Sequence, residues 1–370
     1  MKKKILFVII SIAGGGAERV LVHLLRCLDR SQFELSVVVF DLRNDYKELV
    51  PDDVKVISLN KKRRFDFLWL ILSLSRIIKK ETPFAICAFL TYTNYSSILA
   101  KMISGNKTPL LLSERNNLSI NLKNERLTFI KKILIRNLYP KANAIIALSE
   151  GVKRDLIVNF RINEEKCNVI YNGIDLDNIE ILSMEPVDHP WFNENIPVII
   201  ACGRLTKQKN YPMLLKAMGI IKKKQPVRLL ILGDGEERSK LESLTSEFGV
   251  RDSIDFLGFQ KNPFKFMAKA TLFVLPSSWE GFGNVLIEAM ACGVPIISTN
   301  CPYGPDEIIT DGINGILIPV NDEKALSEAI MRLFKNNSLR KRLAEEGRKR
   351  AEDFRIEKMV AEYERLFKSL

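Results

Sequence analysis

Histidine is nearly missing from this chain: His23 and His189 are the two among 370 residues, and neither stands in a motif. Histidine acid/base catalysis is therefore not expected. Cysteine is sparse and scattered. Cys27, Cys87, Cys167, Cys202, Cys292 and Cys301 show no C-x-x-C spacing, and several fall in apolar runs where a reduced thiol behaves as a small hydrophobe. Neither disulfides nor structural zinc is indicated. No stretch reaches the roughly 18 uncharged apolar residues that cross a bilayer. Met1-Lys2-Lys3-Lys4 leads only into the short run Ile5 to Ile12, with Gly14-Gly15-Gly16 next and no small-residue cleavage pattern. The protein is expected to stay in the cytoplasm.

What is present is an ordinary globular composition, 46% hydrophobic and 27% charged, at a length that suits about two domains. Its charge is concentrated. Between Lys61 and Lys141 stand sixteen Lys and Arg against four acids, an excess equal to the +12 of the whole chain. A basic window of this kind calls for a negative partner to the first half: nucleic acid, an anionic membrane or a phosphorylated acceptor.

Apolar runs and helical patterns alternate along the chain. Lys4 to Ile10 has the continuous apolarity of a buried parallel strand, Ala17 to Leu28 has helical spacing, and Leu35 to Phe40 completes a βαβ unit. Further strands are expected near Val54 to Ile57, Ala85 to Phe89, Pro109 to Ser113, Ala144 to Leu148 and Asn168 to Ile170. Around Ile181 to Ile196 the periodicity stops at Pro186, His189-Pro190 and Asn193-Glu194-Asn195, the signature of a linker. A second series then runs through strands at Pro197 to Cys202, Val227 to Leu232, Ile254 to Leu257, Leu272 to Leu275 and Pro295 to Ser298, with helices between them. The pattern predicts two doubly wound α/β domains with parallel sheets, facing across a cleft between their carboxyl ends. The expected division is 1–182, 183–352 and a terminal helix within 353–370 that returns to the first domain.

Two segments of the second domain carry chemistry. Ser277 to Glu288 holds two carboxylates eight residues apart around a glycine-punctuated loop that opens a helix. Its start offers N–H groups and a positive dipole end to an anion, and Gly281 and Gly283 let backbone approach a ligand. Asn284 and Glu288 share a helical face, where a carboxylate can accept from both hydroxyls of a ribose; Glu280 can accept from sugar hydroxyls. A plain loop followed by a solvated glutamate is the other reading of this stretch. Gly203-Arg204-Leu205-Thr206-Lys207-Gln208-Lys209-Asn210 places Arg204 and Lys209 just after a buried strand, where a diphosphate needs charge compensation, although a solvated basic loop has the same look.

Taken with Tyr171-Asn172-Gly173-Ile174-Asp175 and Gly14-Gly15-Gly16-Ala17-Glu18-Arg19, these segments resemble glycosyltransferase family 4, over nearly the whole chain. The resemblance implies a retaining enzyme of GT-B fold, two Rossmann-like domains with the acceptor bound by the first and the nucleotide sugar by the second. It implies that Arg204 and Lys209 hold the donor diphosphate, Glu288 the ribose and Glu280 the donor sugar. The backbone from Gly281 through Phe282, Gly283 and Asn284 to Val285 would bind sugar and phosphates, and Gly258 and Phe259 would border the base. Gly15, Gly16, Glu18 and Arg19 would face the acceptor.

Many family members carry a histidine after a strand ending in Ser-Glu; here Ser113-Glu114 is followed by Arg115-Asn116-Asn117. A retaining transfer of this type needs no strong protein base, because the departing phosphate takes the acceptor proton, and Arg115 would stabilise phosphate charge instead. A structural ion pair is the competing role for Arg115. Asp175-Leu176-Asp177 spells a metal-binding string of a different fold, but it follows an Asn-Gly turn, and no metal or other cofactor is expected.

The implied reaction is transfer of a sugar, most simply from a UDP-sugar, to a lipid-linked saccharide during assembly of a bacterial surface polysaccharide such as lipopolysaccharide. Lys61-Lys62-Arg63-Arg64, followed by Phe65 to Leu72, and the segment Phe129 to Arg136 alternate cations with apolar residues as at an anionic membrane surface, where the enzyme would sit peripherally on the inner face of the cytoplasmic membrane. The alternative there is a core helix with a charged outer face. A different class, an NAD-dependent or epimerising enzyme, is suggested by the glycine turn and Asp41, but Arg19 stands where G-x-G-x-x-G needs its third glycine. Nucleic acid is not an expected partner, since no aromatic-basic repeat of a binding module is visible.

Overall fold

A computed structural model describes residues 2–13, 15–41, 47–60, 66–122 and 128–370. The chain divides into two units, one of Met1–Gly173 with Ile356–Leu370 and the other of Ile174–Arg355.

Seven strands form the first unit's sheet: β1 (Lys3–Ile9), β2 (Phe33–Val39), β3 (Lys55–Ser58), β4 (Ala85–Phe89), β5 (Leu110–Glu114), β6 (Ala144–Ala147) and β7 (Cys167–Val169). All neighbours pair in parallel, in the order β3-β2-β1-β4-β5-β6-β7. Alternate residues of β1 go to opposite faces: Ile5, Phe7 and Ile9 enter one core and Leu6 and Val8 the other. Burial on both faces is why this strand reads as an unbroken apolar run. The terminal helix Ile356–Lys368 supplies Met359, Val360, Tyr363 and Phe367 to the first of these cores, with Phe367 packed edge-on against Phe7 and Phe33.

The second unit has β8 (Val198–Cys202), β9 (Arg228–Leu232), β10 (Ile254–Gly258), β11 (Leu272–Leu275), β12 (Ile296–Thr299) and β13 (Ile316–Ile318), parallel in the order β10-β9-β8-β11-β12-β13. In each sheet the winding reverses once, between β1 and β4 and between β8 and β11. Ligands of open α/β sheets bind beyond the carboxyl ends of the strands at such a reversal.

The division falls elsewhere than at 182/183 and 352/353. Ile174 N–H donates to Phe354 O at 2.8 Å, the two ends of the second unit pair as a bridge between Ile174 and Arg355, and Arg355 reaches Asp177 at 2.9 Å. The helix Leu176–Ser183 is held by Asn262 Nδ2, which donates to Leu182 O at 2.8 Å. Nor is 181–196 a free linker. His189 is buried with Nε2 3.3 Å from Asp255 Oδ2, and Arg228 pairs with Glu194 at 2.9 Å and lies 4.9 Å from the Trp191 ring centroid. Side-chain contacts with β9 and β10 order this segment, and such contacts leave no periodic trace in sequence. Among the described residues no helix is long and apolar enough to cross a membrane.

Candidate active site

The loops that follow β8 and β11 border the reversal of the second sheet, and side chains stitch them together. Ser278 N–H donates to Gln208 O at 2.8 Å, while Gln208 Nε2 donates to Trp279 O at 3.0 Å. Glu280 N–H donates to Pro302 O at 2.9 Å, which fixes the carboxylate's root. Its Oε1 accepts from Lys209 Nζ and from Ser277 Oγ, both at 2.6 Å, and among the described residues Oε2 accepts only a long 3.4 Å bond from Gln208 Nε2. Lys209 and Glu280 are 15% and 7% exposed, so the pair is largely withdrawn from water. The arrangement leaves Oε2 with acceptor capacity and the Lys209 ammonium with further donors. Ser277 and Gln208 were not singled out from sequence, although both stand inside the two motifs; a hydroxyl three residues before the acid was the available signal.

Arg204 lies exposed after β8 and makes no ion pair among the described residues. A guanidinium left this way in a loop at the reversal is suited to an incoming phosphate.

Beyond Glu280 the chain turns into the helix Asn284–Ala291, capped by Gly283 at φ +103°, a conformation that costs a side-chain-bearing residue steric energy. Gly283 has no side chain with which to cap this helix, and the helix N-terminus borders the Glu280 loop. Phe282 is buried edge-on against Phe354, 5.6 Å between centroids, so this residue can offer a ligand its backbone only. Gly281, Asn284 and Val285 are half-buried. Glu288 is buried one turn into the helix; burial, and then the Glu288 charge, push the Cys292 thiol up to about 12. Gly258 ends β10, its carbonyl accepting Gly233 N–H at 2.7 Å, and Phe259 beside it is 82% exposed, an aromatic face left to solvent.

The other expected residues belong to the first unit, those from Gly15 to Arg19 after β1 at the reversal and Arg115 after β5. Gly15 caps the helix Gly16–Cys27 and Arg19 N–H donates to Gly15 O at 3.0 Å. The Glu18 carboxylate folds back over Gly15 so closely that a Cβ there would collide with it. Gly14 lies outside the described residues. Arg115, just past β5, is 5% exposed and donates to Asn172 Oδ1 and, at 3.5 Å, to Ser113 Oγ. Burial lowers its pKa. No carboxylate pairs with it among the described residues, so the structural ion pair gives way to a buried cation held by neutral groups. Asn172 stands in one of the segments that carry the family resemblance, but the sequence assigns it no role of its own.

Its neighbour Glu114 is fully buried. Tyr139 OH donates to it at 2.6 Å, Thr91 Oγ1 at 3.0 Å and Asn94 Nδ2 at 3.4 Å. Burial outweighs these bonds and raises its pKa to about 7. The Asp-Leu-Asp string is spent on structure: Asp175 Oδ1 accepts Asn178 N–H at 3.1 Å, and Asp177 pairs with Arg355.

Comparison with known proteins fits this geometry. Residues 188–350 match the family described as Glycosyl transferases group 1, and residues 14–178 match Glycosyltransferase Family 4. The N-acetylgalactosamine-N,N'-diacetylbacillosaminyl-diphospho-undecaprenol 4-alpha-N-acetylgalactosaminyltransferase of Campylobacter jejuni is 32% identical over 356 residues, covering 94% of each chain. The chain belongs to glycosyltransferase family 4. A second relative from Campylobacter jejuni, a GalNAc-alpha-(1->4)-GalNAc-alpha-(1->3)-diNAcBac-PP-undecaprenol alpha-1,4-N-acetyl-D-galactosaminyltransferase, is 30% identical over 98% of each chain. Anabaena Alr3699/HepE, solved in complex with UDP, superposes with a TM-score of 0.83 at 23% identity over the full length of both chains. The two parallel-sheet units are the GT-B fold of this family, and the protein is a glycosyltransferase. An NAD-dependent or epimerising enzyme is not favoured.

Proposed function

We propose that the protein is a retaining transferase that moves a sugar from a UDP-sugar to a lipid-linked saccharide in surface-glycan assembly. The observation that carries the reading is the Glu280 carboxylate, fixed by Lys209 and Ser277 beside the helix that Gly283 opens at the reversal of the second sheet. Glu280 Oε2 would accept a donor-sugar hydroxyl, and Lys209 and Arg204 would neutralise the diphosphate as it leaves. The bond from the anomeric carbon to the diphosphate breaks, the acceptor oxygen bonds that carbon on the same face, and its proton passes to the departing phosphate oxygen. Glu288 would hold the ribose and Phe259 would border the base. The acceptor class is supported by the two relatives, whose names contain undecaprenol-linked saccharides, and UDP by the complex of the structural neighbour.

Peripheral attachment to an anionic membrane is part of the proposal, and the helix Thr128–Leu138 supports it. Only Ile135 is buried, while Phe129 is 76% exposed and Ile130, Ile133 and Leu134 are also exposed. At 3.6 residues per turn these four fall within an arc of about 140°, with Lys132 and Arg136 along one border and Lys131 along the other. A helix that turns its apolar face outward between cations suits a bilayer interface. Lys61 to Phe65 lie outside the described residues.

The test is transfer from an α-configured UDP-sugar to a synthetic prenyl-diphosphate saccharide, with the product anomer read by NMR. An α-linked product supports retention; a β-linked product refutes it.

A further inference from the structure

The amino end of the first sheet, opposite to the edge that carries Gly15, holds a cavity of about 290 Å³ where β5 begins. Its lining joins apolar Ile98, Met102 and Leu110 to polar Lys101, Asn106 and Lys141. Asn143 Oδ1 accepts from Leu110 N–H at 3.0 Å and from Lys101 Nζ at 3.3 Å, which pins the half-buried Lys101 ammonium at the cavity. A third cation stands close. Lys166 Nζ donates to the carbonyls of Pro140 at 2.6 Å and Ala142 at 3.0 Å, on either side of Lys141.

Burial and then the Lys166 charge lower the pKa of Lys101, so the two ammonium groups act on each other. Among the described residues none of the three lysines has a carboxylate partner. The helix Thr91–Ser104 ends here, and its carbonyl end favours one cation; it does not compensate three. Like charges gathered around a partly apolar cavity are unfavourable until an anion joins them. Met102 and Ile103, each 53% exposed, extend the apolar side outward.

We propose that this cavity binds a phosphate ester whose neighbouring hydrocarbon lies on Ile98, Met102 and Leu110, while Lys101 and Lys141 pair with the phosphate. An anionic phospholipid headgroup and a free phosphorylated metabolite share this chemistry. The site stands apart from the donor residues, which belong to the other unit. It also does not depend on docking by the helix Thr128–Leu138, because a monomeric lipid can occupy it without a bilayer.

The experiment is calorimetric titration of the full chain with dihexanoyl phosphatidic acid below its micelle concentration, with glycerol 3-phosphate and with inorganic phosphate, beside a UDP titration as control. Saturable binding that Lys101→Gln with Lys141→Gln weakens about tenfold or more, with UDP affinity unchanged, is the expected result. Tighter binding of the lipid than of glycerol 3-phosphate assigns a headgroup; equal binding assigns a soluble phosphate ester. Absence of binding, or binding that the substitutions leave unchanged, overturns the site. Should the double variant lose UDP binding, Lys141→Gln alone, at an exposed position, decides by the same criterion. Vesicle flotation of variants in the helix Thr128–Leu138, with Lys101 and Lys141 left intact, reads helix docking separately, so the failure of one proposal is not taken for the failure of the other.

Discussion

Lys209 Nζ lies 2.6 Å from Glu280 Oε1, an ion pair that ties the loop after β8 to the loop after β11 across the reversal of the second sheet. The pair is withdrawn from water, and its Ser277 hydroxyl bond makes it directional. Removing either partner leaves the other charge poorly compensated, at a cost on the order of 3 kcal/mol.

Glu280→Gln keeps the size of the side chain and removes its charge. Turnover should fall strongly and sugar discrimination with it, while UDP alone still binds, since the nucleotide contacts are assigned elsewhere. Steady-state rates with several UDP-sugars beside UDP calorimetry check this. Full activity in the variant would detach Glu280 from the donor sugar.

Glu288→Ala is expected to act on binding. Loss of a charged hydrogen bond to ribose should weaken UDP by about 1.5 to 3 kcal/mol and raise the donor KM. Calorimetry with UDP and with UMP reads the effect directly, and unchanged affinities would remove the ribose role.

The two loops at the reversal of the second sheet stand out in sequence because glycine, acid and cation fall at fixed offsets from apolar strands, as in Cys202-Gly203-Arg204 and Glu280 to Glu288. Strand β13 does not. Ile316–Ile318 is three residues long and follows Asp311-Gly312-Ile313-Asn314-Gly315, whose turn residues mask so short an apolar run. The segment 181–196 misled for a different reason: Pro186 and the Asn193-Glu194-Asn195 cluster carry turn signals, yet Trp191, Glu194 and His189 anchor to residues far along the chain. The Arg115–Asn172 contact spans 57 positions, and no local pattern announces such a pair.

The charge compensation proposed for Arg204 and Lys209 carries a prediction about metals. Each alanine substitution should lower kcat by about a hundredfold to a thousandfold, as for removal of one preorganised group facing developing charge. Activity should survive EDTA, because Asp175 serves as a helix cap and Asp177 as a partner of Arg355. Loss of activity in EDTA, restored by magnesium or manganese, would contradict this.

Glu114 predicts a pH dependence of stability. Its pKa is raised to about 7 in the folded protein from 4.5, so the folded state binds the extra proton between those values. The stabilisation is fully present below pH 4.5 and is lost as pH rises through about 7, an effect on the order of 3 kcal/mol. Denaturant midpoints across pH 4.5 to 8 should therefore decline more steeply for the wild type than for Glu114→Gln. Parallel profiles would show that Glu114 does not titrate in this range.

The outward apolar face of the helix Thr128–Leu138 predicts membrane attachment in two separable parts. Lys131→Gln, Lys132→Gln and Arg136→Gln together should weaken flotation with anionic vesicles by about 1 kcal/mol per cation near the surface, and added salt should mimic the change. Phe129→Ser with Ile133→Ser should weaken flotation in a way that salt does not mimic, because burial of apolar area is not screened. UDP affinity should be unchanged in both variants, since the residues proposed to hold the donor belong to the other unit. Equal flotation of wild type and both variants would reduce this helix to a solvated face and move the attachment elsewhere on the chain.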